Sequence, residues 1–254
     1  MQDFHAHLLL PRVLLIDDDM VSREVLATVL TMGGYTVHTA ADGAAALALL
    51  DAGESSPEVI LVDTQMPGIS GVELLEALRD RSRGKLFAIS GSAVPDEVTR
   101  AADGFLLKPF GSDALRKLLE EKGPPVRLFA AAEEGEEEPP VLKLEVLAQF
   151  RESMAEEKVR EIYSAVLADL AGRIDSLDAA FLREDSEAIR RIGHSIKGGC
   201  AMAGAAQVAR LGAMLEKVAF EPGSDQLDNR ARWVRDLRAA ASNLERMLKA
   251  EFPT

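Results

Sequence analysis

The sequence predicts two folded parts of different class: an α/β domain built on a doubly wound five-stranded parallel sheet, then an all-α antiparallel helical bundle. Three observations carry this. Residues 12–123 alternate short Val/Ile/Leu-rich runs with amphipathic stretches. Residues 141–252 nearly lack proline and keep helical periodicity to the end. Between them PPVRLFAAAEEGEEEPP (124–140) is bounded by proline pairs and carries five glutamates, the composition of an extended, self-repelling linker.

In the first part the strand candidates are VLLID (13–17), TVHTA (36–40), VILVD (59–63), LFAIS (86–90) and GFLLK (104–108). Near-continuous apolar strands mean burial on both faces, as in a parallel sheet covered by helices. Helices are predicted at about 20–32, 44–52, 71–80, 95–102 and 112–122. The linker's apolar patch, Val126 to Ala132, can dock on either neighbour; fully extended, the joint spans up to ~55 Å. In the second part helices are predicted near 142–151, 155–183, 186–203, 205–219 and 225–250, broken only by the turn FEPGSD (220–225). Ile162, Val166, Leu170, Ile174, Leu177 and Phe181 form a stripe at spacings of three and four, which is a buried helix face.

Net charge is −13, of which about −8 falls on residues 1–123 and about −4 on the joint. An acidic surface of this kind argues against nucleic-acid binding, which needs clustered Lys and Arg. One cysteine, Cys200, excludes an internal disulfide and suits a reducing compartment; on a predicted helix among small residues it reads as core. With no long apolar run and no signal-peptide pattern, the expectation is a cytoplasmic chain without direct membrane contact. His5 and His7 have no further ligands nearby and read as tail, and His38 as a structural or exposed strand residue.

Asp17, Asp18 and Asp63 fall at carboxyl ends of predicted strands, where open α/β sheets bind ligands. Carboxylates so close repel unless a cation sits among them, and Mg²⁺ takes oxygen ligands. Lys108 and Ser90 end two further strands and can neutralise or hydrogen-bond a phosphoryl group. Asp63 is then the nucleophile, since a carboxylate can form an acyl phosphate. Taken alone, DDD after a strand fits a solvated turn equally well; four strand ends together make the case. On the helical side His194, Lys197 and Gly198 share one face of RRIGHSIKGG. Glycines inside a helix cost about 1 kcal/mol each, which implies close approach by another surface. A surface histidine beside glycines that permit tight packing is the plain alternative.

On VLLIDDDMVSRE, VILVDTQMPGISGVELL, ISGSA and GFLLKPF, residues 12–122 resemble the receiver domain of two-component response regulators. The resemblance implies that Asp63 is phosphorylated and that Asp17 and Asp18 bind Mg²⁺ with Asp63 and the backbone carbonyl of Gln65. It gives Ser90 and Lys108 the phosphoryl group to hold, and puts Phe105 in the switch-aromatic position, where a core role is equally open. The span from Ser90 to Lys108 is some four residues short for that family, which predicts a trimmed fourth helix. HSIKGGCAMAGA, and loosely 142–250, resembles histidine-phosphotransfer (HPt) domains. That implies His194 as phosphoacceptor, Lys197 as its electrostatic helper and Gly198 as the clearance residue for docking. Together they imply a phosphorelay protein whose partners are a histidine kinase and other receiver or HPt proteins. No glycine-rich nucleotide site is evident, so ATP chemistry is not expected. A phosphorylation-regulated binding module, or a phosphate sink in which His194 carries nothing, remain the rival readings.

Overall fold

A computed structural model describes residues 10–53, 56–66, 68–91, 96–120, 127–128, 138–217 and 226–253. His5, His7, most of the joint and the turn at 220–225 lie outside the described residues. The chain divides into two compact units, Met1–Phe129 and Ala130–Thr254.

The first unit follows the expected alternation: β1 (Arg12–Ile16), α1 (Met20–Met32), β2 (Thr36–Ala40), α2 (Gly43–Asp51), β3 (Val59–Asp63), α3 (Gly71–Arg81), β4 (Lys85–Ser90), α4 (Asp96–Ala101), β5 (Gly104–Leu107) and α5 (Ser112–Glu120). The strands pair in parallel in the order β2-β1-β3-β4-β5. The five expected strands are joined by a two-residue sixth, β6 (Arg127–Leu128), which pairs in parallel with β5 and lies inside the stretch read as linker. Its register sets Arg127 opposite Phe105 and Leu128 opposite Leu106. The fourth helix is short, six residues, as the compressed span between Ser90 and Lys108 requires.

Burial explains the strand sequences. Val13, Leu14, Leu15 and Ile16 of β1 are 0% exposed, and every residue of β3 is buried, because helices cover both faces. On the edge strand β2 the pattern opens, and His38 is exposed there. Because the strand order reverses between β1 and β3, a crevice opens at their carboxyl ends. That crevice is where Asp17 and Asp63 emerge.

The second unit contains α6 (Leu144–Ser153), α7 (Glu156–Leu182), α8 (Ser186–Met202), α9 (Ala206–Lys217) and α10 (Gln226–Glu251). The whole predicted stripe of α7, Ile162 to Phe181, is buried. Asp185 caps α8 by accepting from the Ala188 N–H at 2.9 Å. Gly204 turns the chain from α8 into α9 with φ +75, and a Cβ there would sit 2.8 Å from Val146. Cys200 is buried, as expected of core. The ring of Phe252 takes cation–π contacts from the guanidiniums of Arg151 and Arg160 at 4.8 and 5.1 Å.

Helices α8 and α9 meet backbone to backbone at two glycines that the sequence reading did not single out. A Cβ on Gly193 would lie 2.8 Å from the Glu216 nitrogen, and one on Gly212 would lie 2.6 Å from the Lys197 nitrogen. Gly198 differs, since a Cβ added there meets nothing within 4 Å. Glycine at 198 is therefore not demanded by the chain's own packing. Gly212→Ala is expected to destabilise the helical unit by about 1–3 kcal/mol, the cost of overpacking a rigid contact. Gly198→Ala should instead leave it unchanged or gain up to about 1 kcal/mol of helix propensity. Urea titration followed by the fluorescence of Trp233, the sole tryptophan and a partly buried one in α10, separates the two outcomes.

Candidate functional site

The first unit gathers its chemistry at the strand ends. Asp17 follows β1 and Asp63 ends β3; they are 0% and 3% exposed. The Lys108 Nζ, itself buried, donates to Asp17 Oδ2 at 2.6 Å and to Asp63 Oδ2 at 2.7 Å. Lys108 stands at the end of β5, two strands from β3, so its stem reaches past the end of β4 to form this bridge. Ser90 is fully buried at that β4 end, and the Lys108 N–H donates to its carbonyl at 2.7 Å, tying β4 to β5 there. The remaining Asp63 oxygen, Oδ1, accepts from the Gln65 N–H at 3.0 Å.

Asp18 is less enclosed, and one carboxylate oxygen from each of Asp17, Asp18 and Asp63 lies within 4.8 Å of the others. Three carboxylates face one ammonium, leaving two negative charges in excess when all are ionised. Burial, then the charges of Asp63, Asp17 and Asp19, push the Asp18 carboxyl up to about 6. Burial works against the Lys108 ammonium, but Asp63 and then Asp17 outweigh it and hold its pKa above the ordinary lysine value. Hard oxygen donors with surplus negative charge fit a hard divalent cation.

Around this core stand residues that sequence reasoning passed over. Asp19 caps α1 by accepting from the Ser22 N–H, while its own N–H donates to Asp17 Oδ1. The Ser22 hydroxyl donates to Asp17 Oδ2, and Arg23 donates to the Asp17 carbonyl. A cap signal was available in the third aspartate of DDD; nothing in the sequence marks Ser22. Phe105 is buried in the sheet's core, 6% exposed and opposite Ala88 of β4.

On the second unit the site is one oriented ring. His194, on α8, shares its Nδ1 with Glu216 Oε1 at 2.9 Å, and Lys197 donates to Glu216 Oε2 at 3.1 Å. Burial raises the Glu216 pKa, but the hydrogen bond from His194 and the charge of Lys197 more than reverse it, so the pKa lies below the usual glutamate value. An ionised carboxylate can only accept, so the proton sits on Nδ1 and the lone pair of a neutral ring on Nε2. Glu216 lies 22 residues from His194 on the next helix, at a separation that no local spacing rule detects. His194 is partly exposed, with the open surface of Gly198 four residues on.

Two known families account for the two units. Residues 13–120 match the response regulator receiver domain and residues 145–248 the Hpt domain. The chain belongs to the two-component phosphorelay proteins, with a receiver domain followed by an Hpt domain. It is 30% identical over 260 residues to the virulence sensor protein BvgS of Bordetella pertussis, an alignment covering 94% of this chain and 20% of that protein. Sensor histidine kinase AruS of Pseudomonas aeruginosa is 30% identical over 229 residues, covering 86% of this chain and 22% of that one. The chain thus spans about a fifth of the length of these relatives. Among solved structures, the chemotaxis protein CheY4 of Vibrio cholerae is 32% identical, covering 42% of this chain and 94% of that one with a TM-score of 0.38. Among the described residues no helix is long and apolar enough to cross a membrane.

The raised Asp18 pKa has a definite sign. The folded state keeps this proton to a higher pH than the unfolded chain, so cation-free stability falls as pH rises from about 4 to about 6 and then levels off. Asp18→Asn should remove that part of the slope and stabilise the cation-free protein near about pH 7. Urea melts of both proteins by circular dichroism at about pH 4 and about pH 7 give the difference; equal slopes would refute the crowding.

Proposed function

We propose that Asp63 accepts a phosphoryl group from a phosphohistidine and that His194 carries one to or from a receiver aspartate. The observation that carries this is the Lys108 bridge, which places a buried ammonium on the carboxylate that would be modified. An Asp63 oxygen bonds to phosphorus as the donor's P–N bond breaks, and the released imidazole keeps the electron pair. Lys108 and the Ser90 hydroxyl would partner the charge on the phosphoryl oxygens. Asp17, Asp18 and Asp63, with the Gln65 carbonyl, would hold Mg²⁺, which supplies positive charge against the phosphoryl oxygens. Phe105 is assigned the position of the switch aromatic, one strand from Ser90.

At His194 the lone pair of Nε2 bonds to phosphorus as the acyl P–O bond of a receiver's aspartyl phosphate breaks; the aspartate leaves as carboxylate. Glu216 holds Nδ1–H and so fixes which nitrogen attacks. Lys197 is close enough to turn from Glu216 toward the phosphate, and Gly198 leaves room for the incoming pocket. The sensor relatives suggest a histidine kinase as the phosphodonor, with other receiver or HPt domains as exchange partners. The domain limits proposed for this relay are 12–123 and 141–252, joined by the acidic segment 124–140.

Asp63→Asn is expected to abolish Mg²⁺-dependent, base-labile labelling by a phosphorylated kinase, and EDTA should do the same to the parent chain. His194→Gln should eliminate the acid-labile, base-stable phosphate acquired from a phosphorylated receiver; persistence of that label rules His194 out as carrier. Glu216→Ala should slow transfer at His194 about 10- to 100-fold, the kinetic equivalent of the ~1.5–3 kcal/mol of a charged hydrogen bond. Single-turnover transfer measured by radiolabel is the check, and an unchanged rate removes Glu216 from the mechanism.

A further inference from the structure

We propose that Ser22 is a positioning residue of the receiver pocket, whose buried hydroxyl keeps Asp17 in place and partnered while Lys108 turns toward a phosphoryl group on Asp63. The inference rests on the reading of Asp63 as the acceptor.

Ser22 lies on the buried face of α1 with Val21, Val25, Leu26 and Leu30, and it is 1% exposed. A hydroxyl on such a face loses its water and needs a partner within the protein. Its Oγ donates to Asp17 Oδ2 at 2.7 Å, the oxygen that also accepts from Lys108 at 2.6 Å. The other oxygen, Oδ1, accepts from the Asp19 N–H at 2.9 Å. Asp17, 0% exposed, is thus held by a backbone amide, a hydroxyl and an ammonium. The backbone at Ser22 is itself anchored, because its N–H donates to the Asp19 cap at 2.8 Å.

In the described state Lys108 divides its ammonium between Asp17 and Asp63. A phosphoryl group on Asp63 adds oxygens that compete for the same three N–H donors. Each step of Lys108 toward them takes charge away from Asp17 Oδ2, on a side chain closed to bulk solvent, and a buried carboxylate that loses partners is strongly unfavourable. Ser22 is the donor that stays behind. Because a hydroxyl is neutral, it occupies the oxygen without cancelling the negative charge that a divalent cation needs. A second cation at position 22 would satisfy Asp17 equally well and would spoil the pocket for the metal.

The test uses the whole 254-residue chain with Mg²⁺ and beryllofluoride, a non-reacting stand-in for the phosphoryl group, its binding read by ¹⁹F NMR. Ser22→Ala should weaken beryllofluoride binding about 5- to 10-fold, the fold-change that matches ~1 kcal/mol of a lost hydrogen bond. Ser22→Cys, similar in shape but a weak donor, should bind as poorly as alanine. Ser22→Thr, which keeps the hydroxyl, should restore binding to within about twofold. Tight binding by the alanine or cysteine variant overturns the proposal, as does a threonine variant no better than alanine. If the parent chain itself takes up no beryllofluoride, the reading of Asp63 fails and this inference falls with it.

Discussion

One ammonium holds the receiver pocket together. Asp17 and Asp63 are nearly without solvent, Asp18 is close by, and a cluster of carboxylates in that setting is unstable unless charge is returned to it. Lys108 returns part of it by bonding both buried acids at once. The sheet exists, from the site's point of view, to make this bridge possible. Its strand order sets β1 and β3 side by side with β4 and β5 beyond, and a lysine stem is long enough to cross that gap. The excess negative charge left over suits a divalent cation.

The two units solve different chemical problems, and their sites differ accordingly. A carboxylate is a weak nucleophile and its phosphate is reactive, so the acceptor needs charge on every side and exclusion of water. That machinery fills the ends of four strands. On the helical unit the geometry around the ring is simpler, and its main parts are a fixed tautomer and room beside it. Glu216 gives the first through Nδ1, and the open ground at Gly198 gives the second. Where α8 and α9 do touch, at Gly193 and Gly212, the close approach brings Glu216 within reach of the ring. Packing and chemistry are here the same contact.

The sheet reaches further along the chain than the composition of the joint suggests. Arg127 and Leu128 pair with Phe105 and Leu106 of β5, so the sheet continues into the segment whose composition marks it as a joint. A shortened α4 lies before that strand in the chain.

Much of this protein was legible in its sequence, because parallel strands and amphipathic helices write their burial directly into residue patterns. The five main strands, the helix lengths and the stripe from Ile162 to Phe181 follow from local periodicity. So do the acceptor candidates, since strand-end Asp17, Asp18, Asp63, Ser90 and Lys108 converge by the geometry of any doubly wound sheet. Tertiary structure alone decided the rest. Ser22 looks like an ordinary helix serine until Asp17 is seen above it, and Glu216 like a solvated glutamate until α9 folds against α8. A two-residue strand is too short to leave any period, so β6 left no mark in a stretch that reads as linker. Among the glycines, only three dimensions separate those pressed against a neighbouring backbone, such as Gly193 and Gly212, from those left facing open space, such as Gly198. Patterns along a chain report what each residue prefers; partners brought from distant positions are fixed only when the elements pack.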